Sequence, residues 1–440
     1  MKRSAWLLVV LILVGAAISP AQMGEMAAAA SGKTAGTVPL GFGLTMIDGE
    51  PYYLVNLAPE LAFGKLGFGL DLNLRISKSG SIRNEYNSFS DYVRIIRYIR
   101  WAQKGDPLYV RFGQLDYSRL GHGFIVYNYR NTASYDLRKT GIELDVNFDK
   151  FGLETMYSDF AEGGVLGARG YVKPLKFTSL SKIPVINNLE VGVTYTADLN
   201  SNADVVYVPS SSVIRNNGTL SIIGFDVGLP ILQFEVIKST IYFDYAKISN
   251  YGHGSAAGID LHLAGMGVLG LSGKYERRFI GEKFIPAYFN ALYEKDRYEP
   301  GATVTTFKSK ASLLESALAT DGYYGELVLS VLNTFRIIGG YQAPIGVDNA
   351  GIMHFELDAG NVIPMVQIAA GYDKKNVGQV FTLDENSLMY AIIGYKLTPF
   401  MVLSTLYQRT FTKDYDASGK FIGYKRQDRV EPKLSFVFNF

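Results

Sequence analysis

The chain has 440 residues, 48% hydrophobic and 19% charged, and its 43 Lys and Arg nearly balance 41 Asp and Glu. That excludes a disordered chain, and it gives no concentrated basic surface for nucleic acid. Zero cysteines exclude a thiolate zinc site, an iron–sulfur cluster and a disulfide framework, and four histidines leave little for a buried metal, so no cofactor and no metal site is expected.

Lys2 and Arg3 precede an unbroken apolar run from Ala5 to Ile18, followed by Ser19-Pro20-Ala21. A basic start, a short apolar stretch and small residues are the pattern of a secretory signal peptide over residues 1–21. No later stretch of about 18 uncharged apolar residues exists, so membrane helices are excluded. A periplasmic segment is expected over 22–37 and one domain over 38–440, since no Pro/Gly/Ser linker divides it.

Beyond the leader the dominant pattern has period two. Phe68, Leu70, Leu72, Leu74 and Ile76 alternate with Gly67, Gly69, Asp71, Asn73 and Arg75. Ile142, Leu144, Val146 and Phe148 alternate with Gly141, Glu143, Asp145 and Asn147, and Leu189, Val191, Val193 and Tyr195 repeat the rule. One apolar and one polar face is the mark of a strand with a different medium on each side. Further strands are predicted near 39–47, 51–62, 89–100, 107–115, 151–159, 219–228, 232–247, 256–264, 266–277, 284–296, 324–338, 351–358, 361–372, 387–397, 400–411 and 431–440. Asp149-Lys150, Asn217-Gly218 and Thr398-Pro399 read as turns. Polar stretches near 78–90, 200–218, 297–323, 373–386 and 412–430 read as loops, and Lys308 to Ala319 as a short helix inside one of them.

The chain end separates a soluble all-β protein from a membrane barrel. In Pro432 to Phe440, Leu434, Phe436, Phe438 and Phe440 share one face, and the last residue is aromatic. This resembles the C-terminal strand of Gram-negative outer-membrane β-barrel proteins, a porin-like class. The resemblance implies an all-β fold, a transmembrane antiparallel up-and-down barrel of about 16–18 strands, within 14–20. It also implies location in the bacterial outer membrane, lipid and the barrel-assembly machinery as partners, and the four apolar residues as the insertion signal. Tyr52, Tyr53, Tyr109, Tyr157, Tyr171, Tyr323, Tyr324 and Tyr424 fit interfacial girdles. An oligomer is compatible with this class.

Function is then expected in the lumen. If Leu108, Val110 and Phe112 face lipid, Arg111 faces inward, and the same rule sends Arg94, Arg100, Asp71, Glu143 and Asp145 to the lumen. Arg97 falls on the apolar phase, so either a bulge shifts the register there or the strand is misplaced. Opposed Arg and carboxylate rows resemble, in residue type alone, the constriction of general porins and would orient small polar or anionic solutes. Asp116-Tyr117-Ser118-Arg119 with Gly121-His122-Gly123, and Asp244-Tyr245 with Gly252-His253-Gly254, break the alternation; Asp116, Arg119, His122 and His253 mark turns or a plug. Enzyme signatures fail: Gly32-Lys33-Thr34 lacks the earlier glycine of a phosphate loop, and Ser255 sits outside any Gly-x-Ser-x-Gly elbow. The expected function is therefore a channel for passive diffusion, not an enzyme, with a non-conducting structural, surface-binding or export barrel as the alternative.

Overall fold

The structure, a computed structural model, describes residues 35–47, 50–132, 139–161, 163–208, 213–265, 269–299, 308–331, 335–359, 365–378, 383–384, 386–416 and 421–439. The signal peptide, Arg138 and Phe440 lie outside the described residues. One sheet holds 22 strand segments, every pairing within it is antiparallel, and all but the pairing of the first strand with the last join staves that follow one another in the chain. Glu50–Leu57 and Glu60–Phe63 pair with Ala35–Ile47 in one continuous register, so they form a single stave. Leu66–Leu70 and Leu72–Ser77 likewise continue one another against that stave. Among the described residues the wall therefore has twenty staves, at the upper end of the expected range.

The wall closes on itself. Phe421–Asn439 pairs with the first stave from Thr37↔Asn439 to Gly43↔Lys433, which leaves no edge of unpaired amides. That first stave begins at Ala35, three residues before the expected boundary. At the seam Phe42 opposes Leu434 and Leu40 opposes Phe436, so the apolar face of the last strand continues the barrel's exterior.

Period two works as expected on the staves named above. Arg75, Glu143, Asp145 and Thr194 are buried inside, while Phe42, Leu108, Val193, Phe225, Phe243 and Ile393 stand exposed on the outer face. Among the described residues no helix is long and apolar enough to cross a membrane; an outward apolar band on a closed sheet is how a barrel does so. Both described chain ends and the turns at 64–65 and 399–400 lie at one rim. The long excursions 78–95, 114–140, 199–219 and 281–319 leave from the other, which matches short periplasmic turns and long external loops.

Several expectations are corrected. Residues 89–93 form a helical turn, with the stave beginning at Ile96. Residues 284–296 are not a strand but part of an in-folded loop, and 324–338 contains parts of two staves, Thr320–Val331 and Phe335–Pro344. Residues 412–415 and 421–430 are strand rather than loop, because the last two staves extend past the apolar band where polar side chains cost nothing. Val165–Val172 is an additional stave. In the expected helix only Ser312–Glu315 is helical.

Replacing Phe225, exposed beside Val193 and Tyr245 on the outer face, with Arg should cost about 2–4 kcal/mol in urea unfolding from lipid vesicles, the range for a cation on a mid-barrel lipid face.

Candidate lumen site

The lumen is occupied by chain that leaves the wall. After Leu108–Gly113, residues 114–132 turn inward, starting at Gly113, whose φ of 117° only glycine adopts easily. Asn131 clips the base: its Oδ1 accepts from Leu115 N–H at 2.9 Å, and its amide donates to Gly113 O and Ser158 O. Ser118 and Tyr129 exchange backbone bonds at 2.9 and 3.0 Å, so the segment is a hairpin-like finger. A second excursion meets it: Ala287 N–H donates to Phe124 O, Phe289 N–H to Ile125 O and Tyr127 N–H to Phe289 O. Leu120, Phe124, Val126 and Tyr129 then pack with Phe284, Tyr288, Phe289, Tyr293 and Leu314 in one apolar cluster. Burying that many large side chains in a lumen makes a plug whose dry core is shared with Met156, Val165, Leu220 and Ile222 of the inner wall.

The finger's polar groups dock on a belt of inner-wall charges. Gly121 N–H donates to Glu154 at 2.7 Å, His122 lies 3.3 Å from Asp244 and stacks on Tyr242, and Tyr127 donates to Glu326 at 2.6 Å. Below them Arg169 binds Asp226, Glu190 and Glu154, with contacts of 2.6, 2.7 and 3.2 Å. Glu276, fully buried, lies between Lys274 at 2.8 Å and Arg278 at 2.5 Å. Arg297 and Tyr293 of the second excursion both donate to Asp198.

Each sequence candidate now has a place. Arg111 lies inside, donating to Gln114 O at 2.7 Å and bonded to Asp116 at 3.2 Å, so both steady the root of the finger. Arg100 is buried on the inner wall and donates to Ala102 O. Glu143 accepts from Tyr109 at 3.1 Å, and Asp145 from Lys104 at 2.8 Å. Asp71 accepts from Asn56 at 3.1 Å and Asn73 at 2.7 Å. Arg94 is not on a stave: it follows the helical turn Phe89–Val93 and pairs with Asp91 at 2.8 Å. Arg97 lies inside and pairs with Glu60; the bulge is the register shift between Gly69 and Leu70. Arg119 is solvent-accessible on the finger, in the field of Asp260, Glu154 and Glu326. His253 is exposed at the start of its stave, beside Tyr245 on the exterior, so the two Gly-His-Gly stretches are not equivalent and their histidines do not meet. Of the expected girdle, Tyr53 and Tyr323 are exposed outside, but Tyr109, Tyr171 and Tyr324 hydrogen-bond Glu143, Asn147 and Glu326 in the interior. The side chain of Tyr424 lies outside the described residues.

The plug does not fill everything. Beside the third stave, a cavity of about 360 Å³ is lined by Asp71, Asn73, Arg75, Arg83, Glu85 and Arg94 among others. Arg75 and Arg83 both hold Glu85 at 2.5 Å. The wall is thus polarised: arginines 75, 97, 100 and 111 sit on neighbouring staves, and carboxylates 226, 244, 260, 276 and 326 sit across the barrel. Arg75, Arg97 and Arg111 each have a carboxylate partner, so charge is arranged as ion pairs rather than as a bare basic row. Among the described residues no three His, Cys, Asp or Glu side chains converge as a metal site.

Sequence reasoning missed Arg169, because its stave was not recognised, and missed that residues 284–297 share the plug. Lys274, Glu276 and Arg278 were legible, since they alternate with Tyr275, Arg277 and Phe279.

This architecture is that of the Gram-negative outer-membrane β-barrels. No family model and no curated protein matches the chain. Among solved structures it is similar to the siderophore receptor PirA of Acinetobacter baumannii, at 8% identity and TM-score 0.40, covering 92% of this chain and 80% of that one. It is also similar to OccK11 of Pseudomonas aeruginosa, at 10% and 0.34 over 93% and 96%. A mutant ferric enterobactin receptor of the same organism matches at 10% and 0.35 over 92% and 80%. At scores this low the barrel stands on its own closure, register and exterior.

Arg169→Met should destabilise the barrel by about 3–5 kcal/mol in urea titration, because it strands buried carboxylates that the guanidinium now pairs. Outside the membrane, Glu315 ties the second excursion to Lys283 at 2.6 Å and to Arg215 of the 205–216 hairpin. Its carboxyl is held below the ordinary value, chiefly by the Lys283 bond. This clip is therefore fully present above the ordinary Glu value of about 4.3 and is lost as pH falls through the lower folded value. Protease nicking of that loop should rise in the same acid range, and Glu315→Gln should give the fast-nicking behaviour already at pH 7.

Proposed function

We propose that the chain is an outer-membrane channel through which small polar or anionic solutes diffuse passively along the plug-free side of the lumen. The observation that carries this reading is the division of the lumen. A dry apolar plug fills one side, while the other keeps a 360 Å³ polar cavity walled by Asp71, Arg75 and Arg83 and rimmed by Arg94. Ion pairs and amides along that wall can exchange hydrogen bonds with a hydrated solute, and guanidinium groups favour carboxylate or phosphate. Location in the outer membrane is supported by the leader at residues 1–21, the closed sheet and the apolar band, and the last strand is the segment the barrel-assembly machinery would read.

The well-packed core of the plug favours a second reading, in which the barrel does not conduct and serves as a structural, surface-binding or export component. Single-channel recording separates the two. The chain from residue 22, refolded in a planar bilayer under a salt gradient, should give steady conductance with a reversal potential favouring anions. Arg94→Ala should move that potential toward cations, and replacing residues 117–128 with a Gly/Ser linker should raise conductance several-fold. A heat-modifiable, folded barrel that carries no current with or without the finger would remove the channel reading.

A further inference from the structure

The rim that carries the short turns has one long segment, residues 173–189, and it is unlike the other turns. It winds through three 3₁₀ turns, Pro174–Phe177, Ser179–Lys182 and Ile186–Asn188, none with a buried residue. Phe177, Leu180, Ile183, Val185 and Ile186 are all exposed, Phe177 by 60%. Soluble surfaces seldom gather five such side chains in ten residues. The patch continues without a break into the lipid-facing band: Phe148, Phe151 and Val172 stand exposed at the feet of the adjoining staves, and Phe234 and Val236 at the next turn. Lys150, Lys182 and Lys238 are exposed around it and have no carboxylate within ion-pair distance among the described residues, whereas Lys176 is tied to Asp149. Val185 holds a φ of 70°, which a β-branched residue adopts only under constraint.

We infer that residues 173–189 form an interfacial anchor that lies in the periplasmic leaflet of the membrane and engages anionic phospholipid headgroups through Lys150, Lys182 and Lys238. An apolar tip ringed by lysines that hold no carboxylate, Lys150 lying over the Phe177 ring at 5.0 Å, complements acyl chains below a negatively charged headgroup layer. A periplasmic protein would bring its own acidic face to the lysines, but continuity with the lipid band favours lipid. The inference rests on the membrane-barrel reading and not on conduction.

The chain offers a built-in control. Its two tryptophans are Trp6 and Trp101, so a chain begun at residue 22 carries Trp101 alone, exposed on the outer face at the same rim. In vesicles containing lipids brominated near the headgroup, quenching of Trp101 reports that the barrel is in the bilayer. Phe177→Trp in a Trp101→Phe background should then be quenched as strongly, and more so when the brominated lipid is phosphatidylglycerol than when it is phosphatidylcholine. Combining Lys150→Gln, Lys182→Gln and Lys238→Gln should remove that headgroup preference while leaving Trp101 quenching unchanged in the parent. If Trp101 is quenched but the indole introduced at 177 responds to aqueous iodide and not to brominated lipid, the anchor is refuted while the barrel stands. Lipid quenching at 177 without headgroup preference would refute the lysine contacts.

Discussion

A peptide group in hydrocarbon finds no water to pair with, and the whole structure follows from meeting that demand. The seam between Thr37–Gly43 and Lys433–Asn439 completes the ring, so every stave has two neighbours and no edge is offered to lipid. Once the sheet is closed, its two faces live in different media. That difference is why Phe225 and Asp226, adjacent in sequence, are respectively a lipid contact and a buried partner of Arg169.

Closure also creates the interior problem. A ring of twenty staves encloses more space than side chains from the wall can fill, and the chain sends two excursions inward to fill part of it. These excursions share an apolar core with the inner wall, so the plug is held by packing at its centre and by charge at its margin. His122, Gly121 and Tyr127 anchor it to carboxylates on three separate staves. Such anchoring is directional: it fixes where the finger lies.

The sequence made the wall legible wherever lipid and lumen impose opposite chemistry. Ile142 to Phe148 could be read directly, and with it the inward aim of Glu143 and Asp145. Val165–Val172 was not legible, because its outer face carries Leu166, Ala168, Gly170 and Val172, too weak an apolar signal to count. Residues 284–296 misled for the opposite reason: Phe284, Tyr288, Phe289 and Tyr293 are apolar enough for a strand, yet they are buried on all sides in a plug that has no lipid face. Nothing in local spacing tells an aromatic aimed at lipid from one aimed at another loop. The partners of Arg169 come from three staves up to 57 residues away, a separation that period-two reasoning does not reach.

A chain without cysteine invites the most direct test of a closed wall around a half-filled lumen. Single cysteines at Asp71 in the cavity, Ile125 in the plug core and Phe225 on the outer face can each be challenged, in the folded barrel in vesicles, with a membrane-impermeant charged thiol reagent. The account predicts rapid reaction at position 71 and protection at 125 and 225. Equal reaction at 71 and 125 would contradict the packed plug, and protection at all three would contradict an aqueous path beside it.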